Sequence, residues 1–268
     1  MKMRFINIIF ILSLMACNAT HKTSKEKKWK LTWADEFNYN GLPDSTKWNY
    51  NVGGHGWGNN ELQYYTEKNT ENAIVENGVL KIIAKKQVKE NRQYTSARLL
   101  TKRKADFTYG KIEVRAKLPA GRGTWPAIWM LGKNIDNTKW PLCGEIDIME
   151  HVGYNKDSIF GTIHTDAYNH IKGTQIGKGI FIKTPYSAFH NYSIEWTPQK
   201  IDFMVDNVVY NHIVNEHLTV KEWPFDAPQF LILNVAIGGN WGGKYGVDEN
   251  IFPAIMEVDY VRVYQTTK

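Results

Sequence analysis

The run Lys111-Ile-Glu-Val-Arg-Ala-Lys-Leu118 alternates polar and apolar side chains without a break. Successive side chains of an extended strand point to opposite faces, so this pattern describes a strand with one face buried and the other wet. Further out along the chain, Val79–Ala84, Ile201–Val205, Phe230–Ile237 and Val258–Tyr264 are also β-rich, with Gly, Pro, Asn and Asp clusters between them. No long helical periodicity, internal repeat or low-complexity linker interrupts residues 31–268. Many short strands without interleaved helices predict an all-β fold, a sandwich or jelly roll of antiparallel sheets rather than a parallel α/β sheet. All-β domains often reach this length, so 31–268 reads as one domain.

Charge narrows the function. The formal net charge of the 268-residue chain is +6. Residues 1–30 hold seven cations (Lys2, Arg4, Lys22, Lys25, Lys27, Lys28, Lys30) and one acid, Glu26, which leaves 26 basic and 26 acidic residues in the body. A formally neutral body lacks the basic footprint of a phosphate-binding surface, so nucleic acid is excluded as a partner. Ten Trp and fourteen Tyr in a neutral domain suggest flat apolar surfaces with polar edges instead.

The N-terminus reads as an export signal. Lys2 and Arg4 precede an apolar run from Phe5 to Ala16, too short for a permanent membrane-spanning helix. Leu14-Met15-Ala16-Cys17 resembles a bacterial lipobox, which predicts a signal peptide over 1–16 and lipidation of Cys17. The alternative is an ordinary cleaved signal peptide with an incidental Cys. The Lys-rich stretch 17–30 reads as a polar tether to a membrane, the outer membrane or cell envelope. With Cys17 acylated, Cys143 has no disulfide partner and reads as a small buried hydrophobe.

The chemistry concentrates in Gly144-Glu-Ile-Asp-Ile-Met-Glu-His151. Glu145 and Asp147 share one face of a strand, and Ile146 and Ile148 share the other. Glu150 has the wrong parity for the acidic face, and one extra residue, most simply Met149 in a β-bulge, restores it. Glu145 and Glu150 then stand like residues four apart, roughly 13 Å between Cα atoms at about 3.3 Å per residue. Side chains leaning inward bring the carboxyl groups to about 5 Å, the separation of a retaining glycosidase. Asp147 between them raises the pKa of a neighbour and favours a protonated glutamate near neutral pH. The same acids also offer oxygen ligands to Ca²⁺, and a solvated acidic strand face is the plainest alternative.

These residues resemble glycoside hydrolase family 16, and the bulged spacing Glu145-Ile-Asp147-Ile-Met-Glu150 resembles its laminarinase-type endo-β-1,3-glucanases. The resemblance extends to Trp33-Ala-Asp-Glu-Phe37, Asn59-Asn-Glu-Leu-Gln-Tyr-Tyr65, Ser96-Ala-Arg98, Tyr109–Arg115, Gly123–Met130, Gly238-Gly-Asn-Trp-Gly-Gly243 and Val258–Tyr264, in the family's order. It implies a β-jelly-roll sandwich of two curved antiparallel sheets with a glucan in a concave groove. It also implies Glu145 as nucleophile, Glu150 as general acid/base and Asp147 as the assisting carboxylate, with no cofactor for catalysis and a monomer.

The resemblance points Trp125 and Trp129 into the groove, where even spacing sets both on one strand face and core packing is the alternative. Trp241, among Gly238, Gly239, Gly242 and Gly243, reads as a loop residue that stacks on sugar. Relatives use equivalents of Asn60 and Arg98 on sugar hydroxyls, although structural hydrogen bonding explains them as well. His164 resembles a histidine beside the catalytic acids, and Glu61 either contacts sugar or caps a loop. A structural Ca²⁺ on the convex side, as in many relatives, would involve Glu36, Gly78 and Asp259. Two other functions remain open: an agarase- or carrageenase-type galactan hydrolase, and a non-catalytic glucan-binding module. The neutral body speaks against sulfated galactans, and the presence of both glutamates against the binding module.

Overall fold

The computed structural model describes residues 28–267. The signal segment 1–16, the lipidation site Cys17 and most of the tether lie outside the described residues. The first strands are β1 (Trp29–Asp35), β2 (Asn49–Tyr50), β3 (Gln63–Tyr65), β4 (Ala73–Glu76), β5 (Val79–Lys89) and β6 (Arg92–Ser96). They are followed by β7 (Arg98–Leu100), β8 (Gly110–Lys117), β9 (Thr124–Gly132), β10 (Glu145–Glu150), β11 (Ser158–His164) and β12 (Ile176–Phe181). The last five are β13 (His190–Trp196), β14 (Lys200–Val205), β15 (Val208–Val214), β16 (Gln229–Ile237) and β17 (Ala254–Thr266). The only helical elements among the described residues are two 3₁₀ turns. β1 starts two residues inside the expected tether, because Trp29 and Lys30 pair with Thr266 and Gln265 of the last strand.

Two sheets form the sandwich. One runs β15-β14-β13-β8-β17-β5-β6-β3, with β1 added on β17 and β4 on β5. The other, which carries the site, runs β12-β11-β10-β9-β16-β7-β2. Pairing is antiparallel as expected, except between β3 and β6, which run parallel.

The alternation that predicted β8 is met in its burial. Ile112, Val114 and Ala116 are fully buried, while Lys111, Arg115 and Lys117 reach solvent. Glu113 lies on the polar face but is also buried, where it accepts from Tyr260 Oη (2.9 Å) and pairs with Lys111 (2.7 Å). β16 is a near-continuous apolar run because it is central and covered on both faces. Leu231, Leu233, Val235 and Ile237 enter the core between the sheets. Phe230 and Ile232 pack on the other face against Leu100, Leu131 and Cys143. Cys143 is buried and unbridged, as the Cys count predicted, and burial pushes its thiol up to about 12.

β17 changes neighbours midway. Its first half pairs with β5 through Val258, and its second half pairs with β1 from Val261. Asp259 sits at this exchange, beside the chain leaving β1 at Glu36 and the turn at Gly78 that opens β5. The three positions expected for Ca²⁺ thus meet at one backbone junction. Their carboxylates, however, are engaged elsewhere. Glu36 accepts a two-pronged contact from Arg262 (2.8 Å at each oxygen), and Asp259 pairs with Arg115. Among the described residues, no carboxylate cluster forms at that junction.

Candidate active site

Strand β10 carries the three acids. Its pairing with β9 advances from Asp147↔Trp129 to Met149↔Ile128, and its pairing with β11 from Asp147↔Thr162 to Glu150↔Phe160. One extra residue is accommodated at Ile148–Met149, and both of these side chains enter the core. The inserted residue restores parity, so Glu145, Asp147 and Glu150 all face one cleft of about 920 Å³. A second cavity of about 1190 Å³, lined by Tyr39, Tyr50, Leu100 and Lys104 among others, contains none of these acids.

Each glutamate is held by an indole. Trp140 Nε1 donates to Glu145 Oε2 (3.0 Å), and Trp125 Nε1 donates to Glu150 Oε1 (3.0 Å). Asp147, only 3% exposed, has one carboxylate oxygen without a hydrogen-bond partner. His164 Nε2 stands 3.4 Å from that oxygen and 3.9 Å from Glu145 Oε1. Burial, with a smaller push from His170, lowers the His164 pKa to about 4, so the ring is neutral at physiological pH. Glu145, Asp147 and His164 are close enough to share a small ligand, and among the described residues they form the one cluster of metal-ligating groups.

Burial raises the pKa of all three carboxyl groups, and their mutual repulsion raises Glu145 and Asp147 further. The cluster therefore retains protons at neutral pH. Two groups favour a negative charge on Glu145: the Trp140 N–H and the nearby Arg98 guanidinium. Glu150 has only the Trp125 N–H. Glu145 is nevertheless raised to about 8 and Glu150 to about 7, so the extra donors offset part of the repulsion at Glu145 without reversing that order.

Aromatic side chains make the walls. Arg98 lies between the rings of Trp57 (4.8 Å) and Trp129 (4.7 Å), which fixes its planar cation at the cleft surface. Trp129 Nε1 donates to Asn234 Oδ1 (2.7 Å), and Asn234 Nδ2 donates to Tyr65 Oη (3.1 Å). Tyr65 and Gln63 both donate to the buried Glu61 carboxylate. At the other end, Trp241 packs edge-on against Trp125 (5.6 Å) and Phe160 (5.3 Å).

The structure brings Glu145, Asp147, Glu150, Arg98, Trp125, Trp129, His164 and Trp241 to one cleft. Asn60 departs from expectation. Its backbone is left-handed (φ 56°) and its exposed side chain donates to Asn240 (2.8 Å), while Asn59 and Asn240 line the cleft in its place. Sequence reading also missed Trp57, Trp140, Phe160, His170 and Asn234. Trp140 lies only five residues before Glu145, but its loop shows no periodicity to give its direction. Asn234 was hidden in an apolar run, where its polarity was the available signal.

Residues 60–262 match the family described as Glycosyl hydrolases family 16. The chain is 54% identical over 266 residues to a β-glucanase of Rhodothermus marinus, covering 96% of this chain and 93% of the relative. Among solved structures, the laminarinase of Rhodothermus marinus matches with a TM-score of 0.89 at 55% identity, over 90% of this chain and 99% of that one. The endo-β-1,3-glucanase of Pyrococcus furiosus matches with a TM-score of 0.84 at 40% identity, over 90% and 96% of the two chains. Paired glutamates on a bulged strand, an aromatic-walled cleft and these likenesses agree: the chain belongs to glycosyl hydrolase family 16.

Proposed function

We infer that the protein is a retaining endo-β-1,3-glucanase that cleaves internal bonds of laminarin-like glucans. The observation that carries this reading is the bulge at Ile148–Met149, which turns Glu145 and Glu150 to one face with an indole N–H on each. In the first step Glu145 attacks the anomeric carbon while Glu150 gives its proton to the departing glycosidic oxygen. In the second, Glu150 takes a proton from water, which displaces Glu145 from the sugar and restores the starting configuration. Asp147, next to Glu145 and neutral His164, acts as the assisting carboxylate. Trp125, Trp129 and Trp241 offer stacking surfaces to sugar rings, and Arg98 donates to sugar hydroxyls.

Product analysis on laminarin, lichenan and agarose, with the anomer read by NMR, tests this. Short oligosaccharides of β configuration from laminarin are expected, with less or none from lichenan. Products from agarose alone would overturn the substrate while keeping the double-glutamate chemistry. Products of inverted configuration would overturn the roles of the glutamates. No hydrolysis of any of the three would favour a glucan-binding module.

Export with a lipid anchor at Cys17 is part of the same proposal and rests on the N-terminal sequence; loss of membrane association in Cys17→Ala tests it. A structural Ca²⁺ at the junction of Glu36, Gly78 and Asp259 would draw on main-chain carbonyls, because Arg262 and Arg115 engage the two carboxylates. A Tm that rises with Ca²⁺ and falls with chelator is the expected result if the ion binds.

A further inference from the structure

We propose that His151 and Tyr186 are positioning residues for Glu150, locking the bulged end of β10 in the register that turns this carboxylate into the cleft. The proposal rests on the reading of Glu150 as general acid/base. One side-chain hydrogen bond reaches Glu150, from Trp125. Its direction is therefore set chiefly by the backbone, and the ladder is interrupted on both sides just before it. A one-residue slip there would carry Glu150 to the core face.

The next residue opposes that slip. His151 is fully buried and its N–H donates to Pro126 O on β9 (3.2 Å). Its Nδ1 is 2.9 Å from the Ser158 carbonyl at the start of β11. A carbonyl only accepts, so Nδ1 carries the hydrogen. Burial lowers the pKa of the ring and keeps it neutral, which leaves Nε2 as an acceptor. Nε2 accepts from Tyr186 Oη (3.0 Å), whose oxygen in turn accepts from Asp157 N–H (3.2 Å). Every hydrogen in this chain has one possible direction. Tyr186 is itself framed from the opposite sheet side, because the adjacent Pro185 carbonyl accepts from Leu118 N–H (2.8 Å), just past β8. The relay thus ties the end of β10 to β11, to the hairpin between them and to the segment joining β12 and β13. A residue that only filled space here would not need both ring nitrogens partnered.

The test separates positioning from packing by leaving group. Tyr186→Phe removes one oxygen, and His151→Asn keeps a donor near Ser158 but loses the Tyr186 arm. Each is assayed on laminarin and on 2,4-dinitrophenyl β-laminaribioside with azide, where neither departure nor attack needs Glu150. The loss on laminarin is expected to exceed the loss on the aryl glycoside at least tenfold, with Tm reported for each variant. Equal losses on both substrates, or none on either, would overturn the proposal. Should His151→Asn fail to fold, Tyr186→Phe decides alone. Glu150→Ala is the control: without azide product from that variant, the reading of Glu150 fails, whatever the His151 result.

Discussion

The two tryptophans that donate to the glutamates act on different limbs of the pH profile. Trp140 stabilises the charged form of Glu145, which in the proposed mechanism must be ionised to attack. Trp140→Phe raises the pKa of Glu145 and moves the acidic limb of kcat/KM to higher pH. Trp125 stabilises the charged form of Glu150, which in the proposed mechanism must be protonated to act as acid. Trp125→Phe raises that pKa and moves the basic limb to higher pH. A hydrogen bond to a charged group is worth about 1.5–3 kcal/mol, so each limb moves by about one to two pH units. Profiles from pH 3 to 10 on a soluble glucan check both, and a shift of the opposite limb in either variant would contradict the assigned roles. Both indoles also wall the cleft, so KM rises in each variant.

At the scale of the element, the bulge lets glutamates five residues apart share one face of β10. Ile146, Ile148 and Met149 face the core, so the bulge is held by packing as well as by hydrogen bonds. Deleting Met149 leaves Glu145-Ile-Asp147-Ile-Glu150, a regular strand whose plain alternation still turns all three acids to one face. Hydrolysis of laminarin is therefore expected to survive the deletion, with Tm lowered because the core loses a buried Met. Loss of hydrolysis with binding intact would show that parity alone does not place Glu150. Binding of laminari-oligosaccharides by calorimetry is expected to survive, because Trp129 is held by Asn234 of β16 and Arg98 by Trp57 of the loop between β2 and β3. Loss of binding together with activity would mean that the strand fails to assemble. The neighbouring hairpin tolerates little change: a Cβ at Gly153 would lie 1.8 Å from the Gly121 carbonyl oxygen.

For the whole molecule, the site is a liability in stability. The pKa of Glu150 is raised to about 7 by burial, so the folded state holds its proton more tightly than the unfolded chain does. Stability from this proton is fully present below the unfolded pKa of about 4.3 and is lost as pH rises through 7. Glu150→Gln removes that loss. Its Tm is expected to exceed the parent's by roughly 5–10 °C at pH 8, from at most about 4 kcal/mol, and to match it at pH 4. His151, His164 and His170 act in the other direction, since burial lowers their pKa values and their contribution falls away as pH drops below about 6.5. Comparing variant with parent at each pH cancels the histidines. A difference in Tm that does not change with pH would show that Glu150 carries no buried charge.

Strand positions, the sandwich and the identity of the three acids were legible in the sequence, because period-two burial and side-chain parity are local properties of an extended chain. The bulge was legible for the same reason: Glu150 is out of step with Glu145 and Asp147 on any regular strand. Only the tertiary structure decided which side chains from distant segments complete the cleft. Trp57 and Trp129 grip Arg98, Trp140 reaches Glu145 from an aperiodic loop, and Asn60 yields its place to Asn59 and Asn240. It also decided that arginines hold Glu36 and Asp259, and that Tyr186 stands behind His151. Loop directions and long-range partners depend on how two sheets stack and where their connections cross, and no local period records that.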